Sequence, residues 1–191
     1  MKRLLGQLII FVPVLCLINP GQILAGTQEF ADLQLQLGKD DTSLLLDGDL
    51  SFHFSEAALE ALANGLPLAV DTEIEIRQGD KWYWQKSLAS YSYKLEIQYH
   101  ALSQQYLVKG FGYTYPKAFY TQSSALTALG RIEGFPLIDL QSLDPDSAYE
   151  VNVRTVLDSE SLPIPLRPLT YISDEWRMRS DWKRLNWPMG N

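Results

Sequence analysis

The sequence predicts a mostly β fold, either an antiparallel β-sandwich or an open barrel, with two short helices. Apolar and polar residues alternate with a period of two in at least six segments, as in strands that bury one face. The chain shows no regular alternation of strands with long helices, so the crossovers of a parallel doubly wound fold are lacking. Only two short stretches carry helix-capping signals.

The alternation locates the strands along the chain. In order, the predicted strands cover residues 33–37, 44–54, 68–77, 91–99, 106–115, 149–157 and 176–182. A short hairpin at residues 102–105 joins the fourth strand to the fifth. Residues on the inward face of these strands form the predicted core, which includes Leu95, Ile97, Tyr99, Val151 and Val153.

The phase of the alternation changes shortly before the fourth strand. Trp82, Trp84 and Leu88 share one parity, whereas the apolar residues from Ala89 onward have the opposite parity. One uninterrupted strand would therefore turn its core face outward halfway along its length. We expect a bulge or a turn near residues 88–90 to restore the phase.

Two short helices interrupt the strands. Ser55 can cap a helix over Glu56–Ala63, and Asn64–Gly65 supplies a left-handed stop. Thr121 can cap a second helix that ends at Gly130. Because both are short and alanine-rich, we expect them to plug or flank a sheet.

The first 25 residues have the pattern of a secretory signal peptide. Lys2 and Arg3 give a basic start, Leu8–Ile18 is an apolar run, and Ala25 is a small residue at a suitable cleavage point. The run is shorter than the roughly 20 apolar residues that cross a bilayer. We therefore expect residues 1–25 to be a signal peptide and the protein to be periplasmic, with membrane attachment only through an uncleaved signal segment, if at all.

Residues 26–191 are long enough to form a single extracytoplasmic β-rich domain. Cys16 is the only cysteine, so the mature chain would have no disulfide and no thiolate ligand. Removal of the signal takes away Lys2 and Arg3 and no acidic residue, which changes the formal net charge from −7 to −9. Such a charge argues against a nucleic-acid partner, because binding to phosphate backbones depends on Lys and Arg.

Residue patterns for catalysis are nearly absent. Only two histidines are present, His53 and His100, and both lie on the polar parity of predicted strands. Asp71, Glu73 and Glu75 follow one strand face, an arrangement more typical of solvated charge than of a glycosidase pair. We therefore expect no catalytic residues, no metal site and no cofactor.

Aromatic residues and a proline cluster provide the candidate binding surface. Prolines at three positions exclude residues 162–168 from a central strand, so the segment should lie along an edge or over a face. Its aliphatic side chains then either pack down as a strap or remain exposed as an apolar patch. The candidate binding residues are Trp82, Trp84, Leu162, Pro163, Ile164, Pro165, Arg167, Trp176 and Trp182.

Several segments together resemble a family of exported Gram-negative proteins known only as a domain of unknown function, DUF4390, and often labelled proline-rich signal-peptide proteins. The similar segments are 60–68, Trp82 with Trp84, 95–102 with Tyr106, 128–132, 157–158 with 162–163, and Trp176 with 180–182. The resemblance implies one exported domain with no assigned activity and no functional residues to transfer. Family genes often lie beside a membrane sensor kinase of the nitrogen-regulation type, which implies a role in sensing at the envelope.

These observations favour a non-enzymatic periplasmic interaction module, with an accessory role to a membrane sensor kinase or an envelope assembly. The expected partner is a periplasmic or membrane protein. An alternative is a β-sandwich that binds a small ligand, a sugar or an acyl chain, in an aromatic-lined opening between its sheets. A hydrolase is the third possibility.

Overall fold

The computed structural model describes residues 30–79, 86–165, 167–168 and 173–188, and the predicted signal peptide at residues 1–25 lies outside them. The described chain forms two antiparallel sheets and two α-helices, which confirms the predicted fold class.

Nine strands of the described chain build the two sheets. They are β1 (Ala31–Lys39), β2 (Ser43–Phe52), β3 (Leu68–Gln78), β4 (Lys86–His100), β5 (Gln105–Lys109), β6 (Lys117–Phe119), β7 (Arg131–Asp139), β8 (Ala148–Leu157) and β9 (Lys183–Pro188). The helices are α1 (Glu56–Ala63) and α2 (Gln122–Gly130), with single 3-10 turns at Leu140–Ser142 and Ser159–Ser161. The smaller sheet has the order β1-β2-β7, and the larger has the order β6-β5-β4-β3-β8-β9.

The two sheets contact each other on one side, and α2 packs against both of them on the other. The larger sheet curves as a half-barrel, and its β9 edge lies beside β1 of the smaller sheet. On the other side, α2 packs against β2 of the smaller sheet and against β4, β5 and β6 of the larger one. The second helix therefore flanks both sheets, in agreement with the prediction that it plugs or flanks a sheet.

The core lies between the inner faces of the sheets. Leu95, Ile97, Val151 and Val153 are fully buried, as the alternation predicts. Tyr99 is a correction, because it is only partly buried and its ring packs on Tyr106 of β5, with 4.8 Å between centroids. It is the last residue but one of β4, close to the turn, where the core is thinner.

A bulge in β4 restores the phase where the sequence requires it. Ile76 of β3 pairs with Ala89, and the next residue, Arg77, pairs with Ser87. Leu88 is therefore the extra residue of a β-bulge. After it, the odd-numbered residues of β4 face inward, and Leu95 and Ile97 enter the core.

Both helices begin at the predicted caps. The Ser55 hydroxyl accepts a hydrogen bond from the Ala58 amide at 3.2 Å, and the Thr121 hydroxyl accepts one from the Ser124 amide at 3.2 Å. At the end of α2, a Cβ on Gly130 would lie 1.9 Å from the Leu50 carbonyl oxygen. The absence of a side chain at residue 130 thus allows α2 to rest directly on β2.

The predicted strand over residues 106–115 is too long. β5 ends at Lys109, because Gly110 packs against the end of α2, where an added Cβ would lie 3.0 Å from the Ala128 carbonyl oxygen. Gly112 then adopts a φ of +70°, a conformation that favours glycine. The chain turns here and returns as β6.

The predicted closing strand over residues 176–182 is wrong in position, since the last strand is β9. Within 176–182 only Arg179 forms a bridge, with Val156. The Ser180 hydroxyl, rather than a backbone carbonyl, accepts the Thr155 amide hydrogen at 3.0 Å. The side chains nevertheless alternate between buried and exposed, because the segment runs in an extended form along the end of β8.

β7 is a strand that the alternation does not reveal. Gly134 has a φ of +55° and Pro136 lacks an amide hydrogen, so both interrupt the period-two pattern. The register with β2 shifts twice along this strand. A proline is tolerated because β7 is an edge strand.

Truncation of a core residue of β4 should destabilise the protein strongly. Ile97→Ala should lower the free energy of unfolding by about 2–5 kcal/mol, because it leaves a cavity among fully buried neighbours. Glu96→Ala, at the adjacent and only partly buried position, should lower it by less than about 1 kcal/mol. Urea unfolding measures both values, and equal effects would contradict the assigned facing of β4.

Candidate functional site

The proline segment is partly strap and partly exposed surface. Leu162 is 1% exposed and belongs to the core, whereas Ile164 is 76% exposed. Pro163 and Pro165 are also exposed. Residue 166 lies outside the described residues. Among the described residues of the segment, Ile164 is therefore the exposed aliphatic side chain.

A network of hydrogen bonds holds both ends of this segment. The Asp158 carboxylate accepts the Glu160 amide hydrogen at 2.8 Å and thereby caps the 3-10 turn that leads into Leu162. Lys94 of β4 donates to the same carboxylate at 2.5 Å. Further along, the Arg167 Nε donates to the Leu162 carbonyl oxygen at 2.9 Å. Ile164 therefore lies in a loop that is closed on itself and fastened to the larger sheet.

Charge strengthens this attachment. Burial alone would raise the pKa of Asp158, but hydrogen bonds from Lys94 and Ser161 outweigh it and hold the pKa below its ordinary value. The hydrogen bond to Asp158 raises the pKa of Lys94. Burial, and then the nearby charge of Asp158, raise the pKa of Asp71.

The Ser161 hydroxyl lies 3.3 Å from the Lys94 ammonium. A serine–lysine catalytic pair needs a lysine whose pKa is lowered, so that the amine can accept a proton. The pKa of Lys94 is raised instead, and its ammonium donates to both Asp158 and Ser161.

The tryptophans of the predicted surface occupy different environments. Trp176 is 7% exposed and packs within the core, so it forms no part of an open patch. Trp182 is half-buried, and the Arg154 guanidinium lies 4.4 Å from its ring centroid. Trp82 and Trp84 lie outside the described residues.

The other candidate groups do not converge. His53 and His100 are exposed, and in the part of the chain that the structure describes no three His, Cys, Asp or Glu residues are grouped closely enough to hold a metal ion. Glu73 forms an ion pair with Arg154 at 2.7 Å. Glu75 likewise pairs with Arg77 at 2.6 Å, so the acidic row of β3 is largely occupied by basic partners.

An aromatic cleft lies at one end of the sandwich, and the sequence analysis did not single it out. Phe30, Phe52 and Phe54 pack together with ring centroids 5.4–5.8 Å apart. The cleft has a volume of about 480 Å³. We call it the phenylalanine cleft, and its lining consists of Phe30, Phe52, His53, Phe54, Ser55, Leu59, Leu126, Asp174, Arg177, Met178 and Arg179.

Two further concavities follow around α2. One, of about 530 Å³, shares Phe52 and Leu126 with the phenylalanine cleft. The other, of about 600 Å³, shares Thr127 and Arg131 with the second and also contains Lys117. The parity of β2 shows that Phe52 and Phe54 face inward, but the opening depends on how α2 meets β2, which local patterns do not reveal.

The sequence model of one protein family, described as a domain of unknown function (DUF4390), matches residues 27–186. The chain belongs to this family. No curated protein and no solved structure matches the chain significantly. Within the described part of the DUF4390 domain, no helix has the length and apolar character needed to cross a membrane.

The ion pair that fastens the proline segment should make the stability of the DUF4390 domain dependent on pH. Because the pKa of folded Asp158 is lowered, its contribution is present above the ordinary aspartate range near 4 and is lost as the pH falls through the folded value. The raised pKa of Lys94 adds stability that is present below about 10 and is lost at higher pH. Asp71 acts in the opposite direction at acid pH. Because its folded pKa is raised, its protonation stabilises the folded state.

Lys94→Met should therefore lower the free energy of unfolding by about 1–2 kcal/mol at pH 7, a value between those of exposed and buried pairs because Lys94 is 51% exposed. The loss should shrink at about pH 3. Lys39→Met, which removes an exposed lysine at the end of β1, is the matched control and should have little effect at either pH. A Lys94→Met loss that is the same at both pH values would show that the ion pair does not stabilise the fold.

Proposed function

We propose that this protein is a non-enzymatic interaction module of the periplasm, which binds a periplasmic or membrane protein and is accessory to a membrane sensor kinase or an envelope assembly. The observation that carries this proposal is the exposure of Ile164 on an anchored loop. Export rests on the signal-peptide pattern of residues 1–25.

The proline segment has the properties of a prepared contact surface. A large β-branched side chain that is 76% exposed gains free energy when a partner covers it. Pro163 and Pro165 restrict the backbone on both sides, and the Arg167–Leu162 hydrogen bond closes the loop. Binding therefore orders little further chain, which lowers its entropic cost.

The other two functions have less support. A small amphiphilic ligand, such as an acyl chain, is the second candidate, and the specific observation in its favour is the phenylalanine cleft, whose size and mixed lining suit a small-molecule site. Hydrolysis is the third and has the least support, because Glu73 and Glu75 are engaged in ion pairs.

A photo-crosslinking amino acid at residue 164 should capture the partner in living cells. We expect one discrete crosslinked protein in the periplasmic or membrane fraction, joined to a chain whose N-terminus lies near Gly26. The same amino acid at residue 102, an equally apolar and fully exposed position between β4 and β5, is the matched control and should capture nothing specific. The same products from both positions, or an uncleaved cytoplasmic chain, would contradict the proposal.

The second candidate predicts that the purified protein carries a bound small molecule. Native mass spectrometry should then show an added mass that denaturation releases. His53→Trp, which fills the phenylalanine cleft, should reduce its occupancy about tenfold, whereas His100→Trp changes an exposed histidine outside the cleft and should not. A protein without any added mass would rule this candidate out for the purified form.

A further inference from the structure

On its β7 side, β2 has a neighbouring strand along only part of its length. β2 pairs with β7 as far as Asp49, which lies opposite Arg131, the first residue of β7. Beyond Asp49, β2 continues to pair with β1 as far as Phe52. On the β7 side this stretch meets α2 instead of a strand, and the closest approach is at Gly130.

A groove begins where the strand pairing stops. The residues from Asp49 to Ser55 form its floor, since they line the phenylalanine cleft and the neighbouring concavity in succession. Leu126 and Thr127 of α2 form its wall. We call this feature the β2–α2 groove.

We propose that the β2–α2 groove binds an extended peptide segment of a protein partner, with a large apolar side chain in the phenylalanine cleft and at least one acidic residue. This inference rests on the proposed function as a binding module. It places a second contact away from Ile164, so the two surfaces can be tested separately.

The apolar end of the groove selects the anchoring side chain. Leu59 and Leu126 are partly buried and line the cleft together with Phe30, Phe52 and Phe54, which are 4–9% exposed. This apolar lining suits an aromatic or branched aliphatic group. Such anchors in small pockets supply much of the affinity of peptide complexes.

The middle of the groove favours a peptide over a lipid. Between the phenylalanine cleft and Arg131, the lining side chains of Gln34, Asp49, Ser51 and Thr127 are all able to form hydrogen bonds. An acyl chain would remove these groups from water without replacing their hydrogen bonds. A peptide backbone can satisfy them, because it carries both donors and acceptors along its length.

The charges around the groove favour an acidic segment. Lys117, Arg131, Arg177 and Arg179 line the three concavities, and Asp49 and Asp174 are the acidic residues among the described part of their lining. This local excess of positive charge contrasts with the net charge of −7 of the whole chain. The Arg131–Glu133 ion pair is exposed, and exposed pairs contribute little free energy, so Arg131 can exchange Glu133 for a carboxylate of the peptide.

The test is selection of short random peptides, displayed on phage, on the protein purified from cells. We expect enrichment of peptides that combine an aromatic or large aliphatic residue with Asp or Glu. Fluorescence polarisation with a synthetic copy of the best peptide then measures affinity. Thr127→Trp, which fills the groove, should weaken binding at least about tenfold, and Ala63→Trp, at an exposed position of α1, should not.

Hydrogen exchange gives the decisive readout for the position of the peptide. Peptide binding should slow the exchange of backbone amides within residues 50–54 in the wild-type protein, other than His53, whose amide already donates to the Phe30 carbonyl oxygen at 2.7 Å. Enrichment of basic peptides, no enrichment at all, or equal binding by the two tryptophan variants would overturn the inference. So would binding to vesicles of anionic phospholipid that Thr127→Trp abolishes while the peptides fail to bind. Capture of a partner at residue 164 despite any of these results would leave the proposed function intact and remove only the groove.

Discussion

Burial of the inner face of β3 is the constraint on which the rest of the structure depends. β3 pairs along its length with β4 on one side and with β8 on the other. Val70, Ile74 and Ile76 are completely buried in the core between the sheets. The remaining strands and both helices extend this sheet or cover its buried face. The proline segment and the β2–α2 groove both lie where the pairing between strands ends.

The inner face of β3 also contains a buried polar pair, which lowers the stability of the fold. Thr72 and Thr155 lie opposite each other on β3 and β8, are fully buried, and have hydroxyls without a hydrogen-bond partner in the described part of the chain. An unpaired buried hydroxyl costs about 1–3 kcal/mol. The surrounding aliphatic burial offsets this cost, which shows how strongly the central strands determine the fold.

Local patterns predict the central strands because each buries one face of alternating residues. They fail for β7, where Gly134 and Pro136 interrupt the alternation, and for the extended segment before β9, where the Ser180 hydroxyl substitutes for a strand partner. The exposure of Ile164 and the opening of the phenylalanine cleft depend on contacts between segments distant in sequence. Alternation and capping signals carry no information about such contacts. The sequence therefore indicated the side chains of the proline segment as candidates but missed the phenylalanine cleft.

The residue at position 130 can be compared among members of the family from their sequences alone. The missing Cβ of Gly130 lets the end of α2 touch the backbone of β2 at Leu50, a residue that also lines the β2–α2 groove. A relative with alanine or a larger residue at the equivalent position must have shifted the helix away from the strand. The residue at this position in other members of DUF4390 therefore reports whether α2 can approach β2 as closely as in this protein.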